Sequence, residues 1–247
     1  MEEPFEAGAI IPAAGSGRRM NAPTNKILLP LLGVSILERA LDAFLNSEFV
    51  KILVLAVKPS EKRIFEAQTN RLAAAFNKEI ALVNGGAERW ESVANALEYL
   101  RRWTGWKRRK RLVAVHDAAR PLLTRELLNQ SLAAGLEYGA VGLGVPLKDT
   151  IKRVDDDGMV VDTPDRSSLR AIQTPQVFEL DLLLDCYQRV KGSGINFTDD
   201  CGVVEYCGRP VKLILGSYEN LKITTPEDLA LAEAILRRRE NADRSRL

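Results

Sequence analysis

Several short runs in this chain are apolar on both faces, and that feature most limits what it can fold into. Lys51 to Val57 is apolar at every position after the first, and Gly8 to Pro12 and Arg111 to Val115 follow the same pattern. Side chains on a strand alternate between two faces, so such a run must be covered on both sides. Glu79 to Val83 and Val211 to Leu215 add two more short strand-like runs. Between the runs lie longer segments with apolar residues at helical spacing, namely Ser35 to Asn46, Ser60 to Phe76, Glu91 to Arg102 and a last one from Pro226. Ser35 and Thr225 suit N-cap positions, and Pro226 and Glu227 suit a first helical turn. Strands alternating with helices imply an α/β fold whose mainly parallel sheet is sandwiched between helical layers.

One stretch breaks the alternation. Asp149 to Val154, the turn Asp155-Asp156-Asp157-Gly158, and Met159 to Asp162 form a hairpin pattern with an Asp-Gly turn. A lone ribbon buries little apolar surface, so it is expected to pack against a second copy of the chain. The expected organisation is one domain over residues 1–240, with an inserted β-arm at about 147–170 and a flexible tail at 241–247.

Composition narrows the function. A net charge of +2 on 247 residues argues against nucleic-acid binding, and the basic run from Arg101 to Arg111 reads as a solvated connector. Three cysteines and one histidine, His116, match no zinc spacing. No apolar run approaches the roughly 20 residues of a membrane span. A cytoplasmic protein is expected, or a stromal one if the source has plastids.

In open α/β sheets ligands sit beyond the carboxyl ends of the strands. Polar and small residues gather at three such ends: Pro12-Ala13-Ala14-Gly15-Ser16-Gly17-Arg18-Arg19, Gly85-Gly86, and His116-Asp117. Gly15 and Gly17 allow backbone N–H groups close to a polyanion, and Arg18, Arg19 and Lys26 can add charge-assisted hydrogen bonds. The loop has neither the third glycine of a dinucleotide fingerprint nor the Gly-Lys-Ser/Thr ending of a Walker loop. Asp117 ends a buried strand on the same sheet edge, where a carboxylate can hold Mg²⁺ with phosphate oxygens; a helix cap or an Arg120 partner are the alternatives. His116 reads as a structural hydrogen-bonder. Gly86 and Ser92, before a helix, suit a base edge or ribose as well as an ordinary turn. Lys222 precedes the last helix, where the macrodipole gives no reason for a cation. A second anionic ligand or a plain surface lysine would account for it.

Seven motifs, in order, resemble the 2-C-methyl-D-erythritol 4-phosphate cytidylyltransferases, the third enzymes of the non-mevalonate isoprenoid pathway. They are Pro-Ala-Ala-Gly-x-Gly-x-Arg-Met from Pro12, Gly-Gly-x-x-Arg-x-x-Ser from Gly85, His-Asp-Ala-Ala-Arg-Pro from His116, Asp-Thr-Ile-Lys from Asp149, Thr-Pro-Gln-x-Phe from Thr174, Thr-Asp-Asp from Thr198, and the Asn220 to Leu229 ending. The resemblance implies a Rossmann-like, three-layer nucleotidyltransferase fold with a protruding β-arm that interlocks a homodimer. It implies transfer of CMP from CTP to methylerythritol phosphate with Mg²⁺ as cofactor. CTP would bind at Pro12, Ala13, Ala14, Gly15, Gly17, Lys26, Gly86, Arg89 and Ser92. Arg19 and Lys26 would stabilise charge on the α-phosphate, while Arg166 and Lys222 would place the substrate phosphate. Asp117, Arg120, Thr150, Thr174 and Thr198 complete the implied substrate side, with Asp117 also the metal carboxylate and Thr150 and Arg166 reaching into a partner's site. Two departures stand out: Asn25-Lys26-Ile27 replaces the usual Pro-Lys-Gln, and Ala87 replaces a frequent aspartate. Rival readings are a cytidylyltransferase for ribitol phosphate or another polyol phosphate, and a non-catalytic nucleotide sensor on the same fold.

Overall fold

The computed structural model describes residues 5–15 and 25–245. The first strand, β1 (Glu6–Pro12), is followed by a small ribbon of β2 (Pro30–Leu31) and β3 (Val34–Ser35), then α1 (Ile36–Leu45) and β4 (Val50–Val57). Next come α2 (Lys62–Phe76), β5 (Glu79–Asn84), α3 (Arg89–Arg102), β6 (Arg111–Val115), α4 (Arg125–Tyr138) and β7 (Ala140–Pro146). The arm strands β8 (Arg153–Val154) and β9 (Val160–Asp162) lead into β10 (Arg170–Glu179). The chain closes with α5 (Leu180–Val190), α6 (Asp200–Tyr206), β11 (Lys212–Leu215) and α7 (Pro226–Arg244).

Among the described residues, seven strands form one sheet in the order β11-β7-β10-β6-β1-β4-β5. Every neighbouring pair is parallel except those made by β10, which runs antiparallel to both β6 and β7. The chain builds β4 and β5 on one side of β1 and then crosses back to place β6 on the other. That reversal opens a crevice beside β1 at the carboxyl ends of the strands.

The core confirms the double coverage. Ala9 and Ile11 of β1, with Leu53 and Leu55 of β4, pack with Phe44 of α1 and Leu128 of α4 on one face. Ile10, Ile52 and Val54 pack with Leu97 of α3 and Leu183 of α5 on the other. The alternation with period two produces the three layers. Ser35 caps α1 by accepting the Glu38 N–H at 3.1 Å.

Two expectations change. The hairpin pairs only Arg153 with Asp162 and Val154 with Val160, a shorter ladder than the pattern suggested, and every residue from Lys148 to Thr163 is exposed. With no apolar face buried in one chain, little beyond the turn holds the ribbon; Asp155 does so by accepting the N–H groups of Asp157 and Met159. The last helix extends to Arg244, past the boundary placed at 240. Arg239 anchors it by pairing with Glu219 at 2.8 Å and donating to the Leu122 carbonyl. Gln173 to Gln176, given no element by the sequence pattern, lies in a buried central strand.

Candidate active site

The cleft is a cavity of about 360 Å³ at the strand ends, lined by Pro12 to Gly15, Lys26, Ile27, Gly86 to Arg89, Ser92, Asp117 to Ala119 and Lys222. Backbone hydrogen bonds set its floor. Ala13 N–H donates to the Ala56 carbonyl, and Gly85 N–H donates to the Val57 carbonyl, both at 2.8 Å. The loops after β1 and β5 are therefore both tied to β4. A Cβ on Gly85 would collide with the Ala14 Cβ, so glycine is what lets these loops touch. At Gly15 a Cβ would meet nothing within 4 Å, leaving that backbone open to the cleft.

The loop after β5 is held by side chains. Gly86 N–H donates to Ser92 Oγ at 3.0 Å, and Ser92 Oγ donates to the Glu88 carbonyl at 3.2 Å. Ala87 N–H donates to Glu91 Oε2 at 2.7 Å. The other departure also has a structural use. Asn25 Nδ2 donates to the Ala13 carbonyl at 3.3 Å and to Glu61 at 2.9 Å, tying the chain back to the β1 loop. Lys26 then reaches across the fold to donate to the Ile223 carbonyl at 2.9 Å.

Asp117 is the electrostatic centre. Its Oδ2 lies 2.8 Å from Lys222 Nζ and 3.7 Å from Arg120 Nε, and its Oδ1 lies 3.4 Å from Arg89 Nε. The Arg120 pairing left open by the sequence is thus present. Burial opposes ionisation of Asp117, but Arg89, Lys222 and Arg120 outweigh it and hold the carboxyl well below its ordinary range. Arg89 shows the mirror case. Burial disfavours its charge, yet Asp200 and Asp117 raise it further above its ordinary value.

A relay fixes Asp117 from below. Its N–H donates to Thr174 Oγ1 at 3.0 Å, and Thr174 Oγ1 lies 3.0 Å from His116 Nδ1. His116 Nε2 lies 3.1 Å from the Arg120 carbonyl. A carbonyl only accepts, so Nε2 carries the proton and Nδ1 accepts from the Thr174 hydroxyl. Burial pushes His116 down to about 4, although the Arg120 carbonyl opposes the shift, so the ring is neutral at pH 7. Arg120 in turn donates to the Asn220 carbonyl at 2.7 Å, and Ile223 N–H donates to the Ala119 carbonyl at 2.8 Å. These bonds clamp residues 220–223 onto the strand end and aim Lys222 at Asp117.

The structure therefore brings Pro12, Ala13, Ala14, Gly15, Lys26, Gly86, Arg89, Ser92, Asp117 and Lys222 into one cleft. Gly17 and Arg19 lie outside the described residues. Arg120 and Thr174 are buried behind Asp117 rather than lining the cavity. Thr198 is exposed just before α6. Thr150 and Arg166 sit on the arm and line no part of the cleft in one chain; Arg166 donates instead to the Lys148 carbonyl. Sequence reasoning assigned no role to Asp200, Tyr187 or Gln176. The Thr-Asp-Asp motif marked the first of them without showing what it touches.

The donor set fits Mg²⁺ of the kind bound by substrate phosphates. Among the described residues no group of three metal-ligating side chains exists, which excludes an all-protein cage there. An ionised Asp117, 13% exposed and facing a cleft of Gly15 and Lys26, is the single carboxylate such an ion takes when triphosphate oxygens and waters supply the rest.

Cations converging on one carboxylate beside a glycine-lined backbone, at the crevice of a three-layer α/β sheet, suit transfer of a nucleotidyl group. The class is that of the nucleotidyltransferases. The family model for IspD, 2-C-methyl-D-erythritol 4-phosphate cytidylyltransferase, matches residues 7–238, and the chain belongs to that family. A 2-C-methyl-D-erythritol 4-phosphate cytidylyltransferase from Desulforamulus reducens is 43% identical over 94% of this chain and 96% of its own. The protein of that name from Symbiobacterium thermophilum is 45% identical over 92% of this chain and 91% of its own. Among solved structures, the 4-diphosphocytidyl-2C-methyl-D-erythritol synthase from Anaerococcus prevotii matches with a TM-score of 0.78 at 31% identity, covering 94% of this chain and 96% of that one.

Proposed function

We propose that the chain transfers CMP from CTP to 2-C-methyl-D-erythritol 4-phosphate, releasing pyrophosphate and 4-diphosphocytidyl-2-C-methyl-D-erythritol for isoprenoid precursor synthesis. The observation that carries the residue-level reading is the meeting of Lys26, Asp117 and Lys222 at the mouth of the Ala13 to Gly15 loop. The triphosphate lies along that backbone, with the cytidine toward Gly86, Arg89 and Ser92. A phosphate oxygen of the sugar attacks the α-phosphorus in line, and the bond to the bridging oxygen of pyrophosphate breaks. No covalent enzyme intermediate is required, because positioning and charge stabilisation supply most of the acceleration.

Lys26 and Arg19 stabilise charge on the α-phosphate, and Lys222 orients the attacking phosphate. Asp117 would hold Mg²⁺ together with triphosphate oxygens, and the bound ion would neutralise charge on the leaving pyrophosphate. On this reading Thr150 and Arg166 act on the sugar phosphate of the partner subunit's cleft, in a homodimer joined through the arm. The exposed Val154, Met159, Val160 and Val161 on that ribbon support it. Both substrates are small and water-soluble, which supports a cytoplasmic enzyme on this reading. No helix among the described residues is long and apolar enough to cross a membrane.

The test is pyrophosphate release from CTP and Mg²⁺ with a panel of polyol phosphates. Release with methylerythritol phosphate is expected. Release with ribitol phosphate alone would move the assignment to that sugar, and binding of CTP without release from any acceptor would favour a sensor.

A further inference from the structure

We propose that Asp200, braced by Tyr187, is the positioning residue that holds Arg89 in the nucleotide side of the cleft, independently of Asp117. The inference rests on the cytidylyltransferase reading above and adds how its arginine is kept in place.

Arg89 begins α3 and points its guanidinium between two carboxylates of different character. Nη2 lies 2.7 Å from Asp200 Oδ2, whereas Nε lies 3.4 Å from Asp117 Oδ1. Asp200 is fully buried and, among the described residues, pairs with Arg89 and no second cation. Its other oxygen, Oδ1, accepts the Tyr187 hydroxyl at 2.6 Å. A carboxylate removed from water is tolerated only when its oxygens are satisfied, and here one arginine and one phenol do so. Asp117, by contrast, is shared with Arg120 and Lys222 and faces the cleft.

The division of labour follows from geometry. Asp117 is the group that must exchange partners when metal and triphosphate arrive. If it alone held Arg89, the guanidinium would be released at the moment the nucleotide binds. Asp200 does not face the cavity, so it keeps its grip. Strand β10 sets the spacing between the two carboxylates. Thr174 Oγ1 accepts the Asp117 N–H at 3.0 Å, and Gln176 Oε1 accepts the N–H groups of Asp200 at 2.9 Å and Cys201 at 3.0 Å.

The experiment is calorimetric CTP titration with steady-state kinetics on wild type, Tyr187→Phe, Asp200→Asn, Arg89→Ala and the Asp200→Asn/Arg89→Ala double variant. Tyr187→Phe keeps the ring in the core and removes one hydroxyl. It should weaken CTP binding about three- to tenfold, less than the full worth of a hydrogen bond to a charged group because Asp200 keeps its pairing with Arg89, and raise KM for CTP but not for the sugar phosphate. Asp200→Asn should lose more, about ten- to a hundredfold, and should cost nothing further in the Arg89→Ala background. Variants that melt at lower temperature but bind CTP with wild-type Kd would make the pair purely structural and overturn the proposal. Additive losses in the double variant would overturn it too. Wild type that binds no CTP would instead bring down the cytidylyltransferase reading, and this inference with it.

Discussion

The cleft and the arm are built on opposite plans. Around the cleft, each functional group is held by a second: Asp117 by Thr174, Thr174 by His116, Arg120 by Asn220, Arg89 by Asp200. On the arm, sixteen consecutive residues, 148–163, are exposed, and the strands pair over only two and three residues. One region is finished within a single chain. The other carries apolar side chains, among them Met159 at 67% and Val160 at 58% exposure, that nothing among the described residues covers. The difference teaches where each half of the reaction would be decided. Groups suited to the nucleotide are preorganised by the sheet, whereas Thr150 and Arg166 line no part of the cleft in one chain and take part in the reaction only on the dimer reading proposed above.

The sharpest break between the regions comes from Lys26, which sits in the cleft and is anchored to the Ile223 carbonyl. Lys26→Ala should lower kcat by about 10²–10³-fold, the effect of removing a charge-stabilising donor, as measured by pyrophosphate release. Near-normal turnover would remove Lys26 from the chemistry.

Acid should strike the cleft region and spare the arm. His116 titrates near 6.5 when unfolded and is pushed down to about 4 when folded, so below the unfolded value the unfolded state binds the extra proton. Stability is therefore full above about pH 6.5 and falls as pH drops toward 4. Going from pH 7 to pH 5 should cost about 2 kcal/mol in urea unfolding. His116→Gln should flatten that slope while lowering stability at pH 7, and an unchanged slope would contradict the neutral relay.

Arg166→Ala should raise KM for the sugar phosphate about tenfold, equivalent to one lost charge-assisted contact, and leave the CTP Kd unchanged. The smallest effect on the fold should come from Val160→Lys. It should change the unfolding free energy of the single chain by no more than about 0.5 kcal/mol, because Val160 is exposed there. It should nevertheless move the sedimentation coefficient from dimer to monomer. A dimer that survives it would place the contact elsewhere.

Much of this was legible in the sequence because it depended on local pattern. Apolar runs on both faces gave the buried strands, and Asp117 stood out by ending one of them. Gly85 was visible as a small residue, although only the structure shows that Ala14 is what it makes room for. What stayed hidden depended on which strands lie side by side. Gln173 to Gln176 is polar and contains a proline, so it resembles a loop; yet Gln176 is fully buried, and its amide oxygen accepts the first N–H groups of α6. Tyr187 and Asp200 meet only because α5 and α6 fold back over the strand ends, and no spacing in the sequence encodes that contact. The Lys222 cation, unexplained by helix electrostatics, suggested an anionic ligand or a plain surface lysine; the structure pairs it with Asp117, more than a hundred residues away.

The central claim is that a cleft from one subunit works with an arm from another. Co-expressing Lys26→Ala and Arg166→Ala chains tests it directly. In the mixed dimer one site then combines an intact cleft with an intact arm, while the other carries both lesions. With methylerythritol phosphate held well below its KM, where each parent variant is slow, pyrophosphate release should recover to about a quarter of the wild-type rate, since half the dimers are mixed and half of their sites are whole. Activity no greater than the average of the two parent variants would contradict the account.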